Sequence, residues 1–431
     1  MTVIAQSTLT WTSLGFVLFV VVVFLIIAYL RGGFYKHITY NLHDVPKTEE
    51  SYFPFAMMAV SNSIIAHGQV SNYWYDIDTL YQARLNAIAH AQHTIHFESF
   101  YMTPGRRVKE FADAMIERAR AGVKVLVLVD SFGVEDLSSS YWQRLSNEGV
   151  NVRFFHPFDW RHLLSYNIRD HRKLLVIDGE IAFIGGTGVS DYWDGNEEAG
   201  DIAPWLDFEF SLTGSVVSTL ESIFMQHWIY TGGVAQLKPR LFQTRSSTGI
   251  PMIVTPTSFP SASSALEGLF YTCVMAAQKR LWIASPYFLP SANARQAMLE
   301  AKQRGVDVRI LTVGPHNDKK MIYYAVRERY RDLLKGGIEI YEYQPSMMHA
   351  KVFLIDETFV STGSANYDPR SLFHNDELNV SVSDADLAQF VEKFFLESFA
   401  KSDRIDLQKW RKRSLLQRIQ GQLALLIRWQ L

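Results

Sequence analysis

The chain repeats itself, and that repetition is the strongest constraint on its fold. The stretch HRKLLVIDGEIAFIGG, from His171 to Gly186, returns 178 residues later as HAKVFLIDETFVSTGSAN, from His349 to Asn366. The surrounding order repeats too. RLNAIAHA, TIHFESFYM, VKEFADAMIERARAGV and KVLVLVD read as helix, strand, helix, strand, and EGLFYTCVMAAQKR, LWIASPYFL, ARQAMLEAKQRGV and DVRILTVG read the same way. Near-continuous apolar strands between amphipathic helices predict an α/β fold whose mostly parallel sheet is covered on both faces. A duplicated unit of about 180 residues explains the pattern better than two unrelated domains, and 431 residues suit two such lobes. The break between them is expected near Gly232–Pro251, where Gly, Pro, Ser and Thr accumulate. The expected division is residues 1–50 for an anchor and linker, 51–240 and 241–400 for the two lobes, and 401–431 for a C-terminal helix.

Within each copy, His and Lys stand at i and i+2, so they share one face of a strand, and Asp follows seven residues after His. The two sets are His171, Lys173, Asp178 and His349, Lys351, Asp356. A small-residue turn comes next in each, GGTG (Gly185 to Gly188) and GSAN (Gly363 to Asn366). One such set is compatible with chance; two with identical spacing at the same point of duplicated halves are not. Two imidazoles facing each other across a pseudo-twofold axis suit a two-step displacement at phosphorus. One attacks and becomes a phosphohistidine, while the other protonates the leaving alkoxide and then deprotonates the acceptor. The two lysines and Asn366 would neutralise and donate to the phosphoryl oxygens. That chemistry asks for no cofactor and no metal, and no Cys/His set at metal-ligand spacing occurs despite 13 histidines.

These paired motifs resemble the HKD motifs of the phospholipase D superfamily. ARAGVKVLVLVDSFG, SPYFLP, GGIEIYEYQPSMMHAKVFLID and NDELNV resemble bacterial cardiolipin synthases and their phospholipase D-like relatives. The resemblance covers roughly residues 75 to 431 and implies two α/β/α lobes with the catalytic histidines at their interface. It implies His171 as nucleophile and His349 as general acid/base. It also implies that Glu377 and Asp207 orient the histidine rings, with Ser364 and Asn366 in support. Asp178 and Asp356 belong to the motif, but their place beside a hairpin turn suggests support of the fold. Gly188 stands where the full motif carries asparagine, so the first half lacks one phosphate-facing donor.

The ends of the chain point to lipid. Thr2 to Leu30 contains no charged residue, and the run from about 11 to 30 is long enough to cross a hydrocarbon core of roughly 30 Å. One N-terminal transmembrane helix is therefore expected. No small-residue cleavage site follows, and Arg31 and Lys36 just beyond it place the lobes on the cytoplasmic side of a bacterial inner membrane. At the other end, Leu416, Ile419, Leu423 and Leu426 recur at helical spacing among Arg and Lys, bracketed by Trp410 and Trp429. Such a helix suits either an anionic membrane surface or a docking site on its own domain. Tyr192, Trp193, Tyr367 and Phe373 are candidates for a wall that excludes water from the motifs. The net charge of −2 disfavours a nucleic-acid partner, and with it an HKD nuclease. The favoured reading is a membrane-anchored phosphatidyltransferase that makes cardiolipin from phosphatidylglycerol, or from another phosphatidyl donor, through a phosphohistidine. The alternative is a phospholipase D that releases phosphatidic acid. Both use the same catalytic residues.

Overall fold

A computed structural model describes residues 15–26, 38, 40–162, 166–195, 203–235, 249–258 and 264–430. The first lobe carries strands β1 (Ile64–Trp74), β2 (Thr94–Ser99), β3 (Lys124–Asp130), β4 (Asn151–Phe155), β5 (Arg169–Asp170), β6 (Leu174–Ile177), β7 (Ile181–Gly185) and β8 (Glu209–Thr213). The second carries β9 (Ile250–Pro256), β10 (Arg280–Ala284), β11 (Asp307–Val313), β12 (Glu339–Tyr343), β13 (Val352–Ile355), β14 (Phe359–Gly363), β15 (Asn375–Asp376), β16 (Leu378–Ser383) and β17 (Ser402–Ile405).

All but β5 and β15 join one sheet in the order β17-β12-β11-β10-β13-β14-β16-β9-β1-β8-β7-β6-β2-β3-β4. Read outward from the centre, both halves have the same plan, with β17 added at one edge. The halves meet where β1 pairs antiparallel with β9, Ile64 opposite Val254 and Gly68 opposite Ile250, as a twofold relation between lobes demands. Among the described strands of this sheet, only β2-β3-β4 and β10-β11-β12 are parallel. The expectation of a mostly parallel sheet fails because each HKD hairpin inserts two antiparallel strands between the parallel set and the centre.

Helices on both faces seal the sheet. Phe111, Met115 and Ile116 of helix Arg106–Arg120 pack in one core with Val125 and Val127 of β3, while Leu220 and Phe224 of helix Ser215–Tyr230 pack in another with Leu126 and Leu128. That alternation along β3 is why the strand is apolar from Val125 to Val129. Helix Phe53–Ser61 lies within the expected first lobe, yet Phe53 and Met57 enter the core of the second, and Phe53 sits edge-on to Phe359 at 5.2 Å. Residues 11–14 and 27–30 of the expected membrane span lie outside the described residues. Its described part, residues 15–26, is helical with largely exposed side chains, and among the described residues no helix is long and apolar enough to cross a membrane. The Gly232–Pro251 break falls largely on residues 236–248, also outside the described set.

Candidate active site

Each HKD histidine sits just before the hairpin's first strand, where the backbone reaches into the other lobe. β5 and β15 pair in parallel, Arg169 opposite Asn375 and Asp170 opposite Asp376, and the His171 amide donates to the Asp376 carbonyl at 2.9 Å. His171 and Glu377 come next in that register. The mirror contact pairs Leu206 with Met348, and the His349 amide donates to the Leu206 carbonyl at 2.7 Å. His349 and Asp207 are brought together in the same way.

The carboxylates are therefore exchanged between lobes. His171 Nδ1 lies 2.9 Å from Glu377 Oε2, and His349 Nδ1 lies 2.7 Å from Asp207 Oδ2. In both, Nδ1–H donates to the carboxylate, which leaves Nε2 as the other ring nitrogen for chemistry; His349 Nε2 lies 3.0 Å from Lys351 Nζ. Nothing in the linear order reveals the swap. Lys173 and Lys351 are buried, and each ammonium donates to the carbonyl of its own motif's histidine. Each lysine's charge also reaches the histidine of the other lobe, so both motifs face one chamber.

Burial sets the protonation states. It pulls His171 well below the ordinary imidazole value, with Lys173 and Lys351 adding to the effect. Burial and then Lys351 pull His349 down to about 4, against the pull of Asp207. Both rings are neutral at pH 7. Burial likewise lowers Lys173 to about 8 and Lys351 to about 7. The carboxylates differ. Burial raises Glu377 to about 7, whereas His349 and Lys351 hold Asp207 below its ordinary value despite burial.

The supporting residues differ as well. In the second half Ser364 Oγ donates to Glu377 Oε2 at 2.5 Å and Asn375 Nδ2 donates to Oε1 at 3.3 Å. The equivalent of Ser364 is Gly186, where a Cβ would lie 2.2 Å from Asp207 Oδ1. Trp193 supplies the missing donor, its Nε1–H reaching Asp207 Oδ2 at 3.0 Å. Gly188 has a reason of its own: a Cβ there would meet the Tyr101 carbonyl at 2.4 Å and the Trp193 ring at 3.1 Å. The first half exchanges the motif's asparagine for a tryptophan that needs its space. Asn366, in the second half, is buried with Oδ1 lacking a protein partner.

Asp178 and Asp356, members of the two motifs, stand apart from the histidines and lysines. They sit at the far end of the hairpin strands, five residues beyond the lysines and so ~17 Å along the chain. Both adopt the left-handed conformation, φ 53° and 51°, which Asp tolerates better than most residues. Asp178 accepts the amides of Gln92, His93 and Thr94, and Asp356 those of Gln278, Lys279 and Arg280. They pin the hairpin to the start of β2 or β10 and do not face the histidines.

Of the expected aromatic wall, Trp193 meets His349 edge-on at 5.3 Å, and Tyr192 stacks on Trp205, itself 5.7 Å from His349. Phe100, unmarked in the sequence reading, takes the corresponding place at 4.8 Å from His171. Tyr367 is core, packed on Phe270 and Phe353, and Phe373 packs on Trp429.

His227 also escaped the sequence reading. Its Nδ1 lies 2.8 Å from Glu98 Oε1 and its Nε2 3.1 Å from Asp376 Oδ2, with Asp170 Oδ2 at 3.5 Å. It bridges the two residues that precede His171 and Glu377, and so ties the lobes together beneath them. Burial and Arg172 work against its charge, yet the surrounding carboxylates hold it well above the ordinary imidazole value. Glu98, Asp170 and His227 form the one group of metal-ligand type among the described residues. Arg172 stands against both carboxylates and His227 already occupies them, so the group functions as an ion network. The signal was present in the sequence: RDH and NDE place an Asp before each partner of the His171–Glu377 pair.

The model of the family described as cardiolipin synthase, PLD-like domain, matches residues 85–228 and 271–399, one segment for each lobe. This chain belongs to that family. It is an enzyme of the phospholipase D superfamily, of phosphatidyltransferase type. It is 32% identical over 348 residues to cardiolipin synthase 2 of Bacillus anthracis, covering 79% of this chain and 67% of that one. A probable cardiolipin synthase of Bacillus subtilis is 31% identical over 399 residues, 92% of this chain and 79% of that one. The crystal structure of phosphatidylserine synthase from Haemophilus influenzae superposes with a TM-score of 0.66 over 88% of this chain and 99% of that chain. At 15% identity it speaks for the fold alone.

Proposed function

We propose that this membrane-lipid phosphatidyltransferase forms cardiolipin from two phosphatidylglycerols through a phosphohistidine on His171. The exchanged His–carboxylate pairs are the observation that carries the reading, because they fix Nδ1 of two neutral rings and turn both rings toward one cationic chamber. His171 Nε2 attacks the phosphorus of the first lipid, and the bond from phosphorus to the glycerol oxygen breaks. His349 gives its proton to that oxygen and glycerol leaves. His349 then takes the proton of a hydroxyl on the second phosphatidylglycerol. The new alkoxide displaces His171, the P–N bond breaks, and cardiolipin forms.

The asymmetry of the carboxylates supports this division of labour. Asp207, held ionised, stabilises the imidazolium that His349 must become, while Glu377, raised to about 7, favours a neutral nucleophile. His349 at about 4 is unprotonated in the free enzyme. An entering phosphodiester anion offsets the two lysines and raises it toward the value an acid catalyst needs. Lys173, Lys351 and Asn366 act on the non-bridging oxygens.

The reading includes a single N-terminal span over about residues 11–30, with the lobes on the cytoplasmic side. Its support is the uncharged run and the two cations, Arg31 and Lys36, that follow it. The test is to reconstitute the full chain in phosphatidylglycerol vesicles and identify products by mass spectrometry. Glycerol and cardiolipin in equal amounts are expected. Phosphatidic acid as the dominant product, with no cardiolipin, would make the enzyme a hydrolase.

A further inference from the structure

Helix Leu415–Leu426 docks by its small side and leaves its large side bare. Gly421, Ala424 and Leu425 are buried, and a Cβ on Gly421 would meet the Tyr324 carbonyl at 2.7 Å. At about 100° per residue, Leu415, Leu416, Ile419, Leu423 and Leu426 fall on the opposite side. They are exposed, Leu415 by 70% and Leu416 by 65%. This answers the choice left by the sequence: the helix docks on its own lobe, but not with its apolar stripe.

The stripe belongs to the rim of the catalytic chamber. Just past the helix, Trp429 packs on Phe373 at 4.8 Å, and the Gln430 carbonyl accepts from Arg370, whose charge reaches His171. Asn167, four residues before His171, donates to Gln430 Oε1 at 2.9 Å. On the first lobe's side of this junction, Phe158 contacts Tyr166, and Trp160 is 72% exposed. The partner helix, Lys320–Arg327, starts beside Lys319, whose charge also reaches His171.

We infer that this rim, with the bare stripe beside it, lies on an anionic phospholipid bilayer and passes lipid head groups directly into the chamber. Charge complementarity identifies the occupant. Arg411, Lys412 and Arg418 are exposed beside the stripe, and Lys319 and Lys320 are exposed at the start of the partner helix. A second copy seated face to face would set these cations against themselves. The chain's own path agrees with a bilayer at this end. Tyr40, the first residue of the continuous described chain, stacks on Tyr271 and donates to the Ser264 carbonyl at 3.3 Å. Ser264 caps the chamber end of helix Ala265–Ala276, whose other end leads to the hairpin pinned by Asp356. Tyr40, where the continuous described chain begins, therefore lies at the chamber end of this helix.

The inference rests on the proposed function only in its choice of lipid, and its test reads no turnover. Cys273 is buried and its thiol is pushed far up by burial, so introduced cysteines take a fluorophore alone. Leu416→Cys, Ile419→Cys and, as a remote control in the far hairpin, Glu357→Cys are labelled with bimane in the full chain and reconstituted with brominated lipid. In brominated phosphatidylglycerol the labels at 416 and 419 should lose emission by about two-fold or more, with the label at 357 unaffected. In brominated phosphatidylcholine the loss at 416 and 419 should be smaller. No quenching at 416 and 419, or equal quenching in both lipids, would overturn the inference. So would pyrene excimers between labels at 416, which would put a second copy on the stripe.

Discussion

The two halves of the active site descend from one design, yet they hold their histidines differently. On the His171 side the carboxylate is Glu377, cradled by Ser364 and Asn375. On the His349 side it is the shorter Asp207, held by the indole of Trp193 over a glycine floor. The first cradle is small and polar and leaves Glu377 close to neutrality. The second is aromatic and leaves Asp207 charged. Duplicated geometry brings the two imidazoles together; local divergence gives them different electrostatic partners, which is what a nucleophile and an acid/base require of a single site.

The comparison breaks most decisively at the histidines. His171→Ala and His349→Ala should each lower kcat by about 10³-fold or more, with the melting temperature near that of the parent. Steady-state rates with a thermal melt check this. Near-normal turnover in either would end the two-histidine account. Next come the orienting carboxylates: Glu377→Gln and Asp207→Asn should each cost about 10²-fold or more, because the amide no longer fixes the Nδ1–H tautomer. With a donor lipid whose leaving group is p-nitrophenol, which needs no protonation, first-turnover release of p-nitrophenol should recover most of the loss in Asp207→Asn and not in Glu377→Gln.

The pH profile sharpens the contrast between rings and ammoniums. His171 lies well below its ordinary value, so protonation of the nucleophile should not depress kcat/KM above pH 6, while the protonated fraction of His349, at about 4 in the free enzyme, grows as pH falls and should raise it. The lysines also lie below theirs. Their charge is lost as pH rises through about 7 for Lys351 and about 8 for Lys173, and kcat/KM should fall over that window. Lys351→Arg, which stays charged, should move the alkaline fall upward even if the overall rate drops.

Much of this was legible in the sequence and some was not, for physical reasons. The repeat fixes two equivalent lobes, and the i, i+2 spacing in HRK and HAK sets each pair on one strand face. The swap of Glu377 and Asp207 was hidden because it depends on β5 pairing with β15 across the lobes, two short strands with no periodicity to read. The mixed sheet was missed because a strand buried on both faces, such as LLVI of β6, reads alike whether its neighbours run parallel or antiparallel. Tyr367 and Trp193 have similar composition-level signals, yet one is core and the other touches His349.

The smallest effects belong to the hairpin carboxylates. Asp178→Ala and Asp356→Ala each remove the acceptor of three amides and should lower stability by about 1–3 kcal/mol. Residual kcat at a temperature where the protein is folded should stay within about threefold, since neither residue faces the chamber. A melt and a rate on the same sample separate the two roles. Trp193→Phe lies between these and the carboxylate changes, at about 10-fold in kcat, because it removes one donor from Asp207 and leaves the ring in place.

The most direct test of the unequal halves is to find which histidine carries the phosphoryl group. The full chain and its His349→Asn variant are mixed with phosphatidyl-p-nitrophenol, quenched in alkali to preserve phosphohistidine, and mapped by peptide mass spectrometry. A phosphatidyl adduct on the peptide containing His171, accumulating in His349→Asn where no base activates the acceptor, is the predicted result. An adduct on His349, or turnover with no adduct on either histidine, would contradict it.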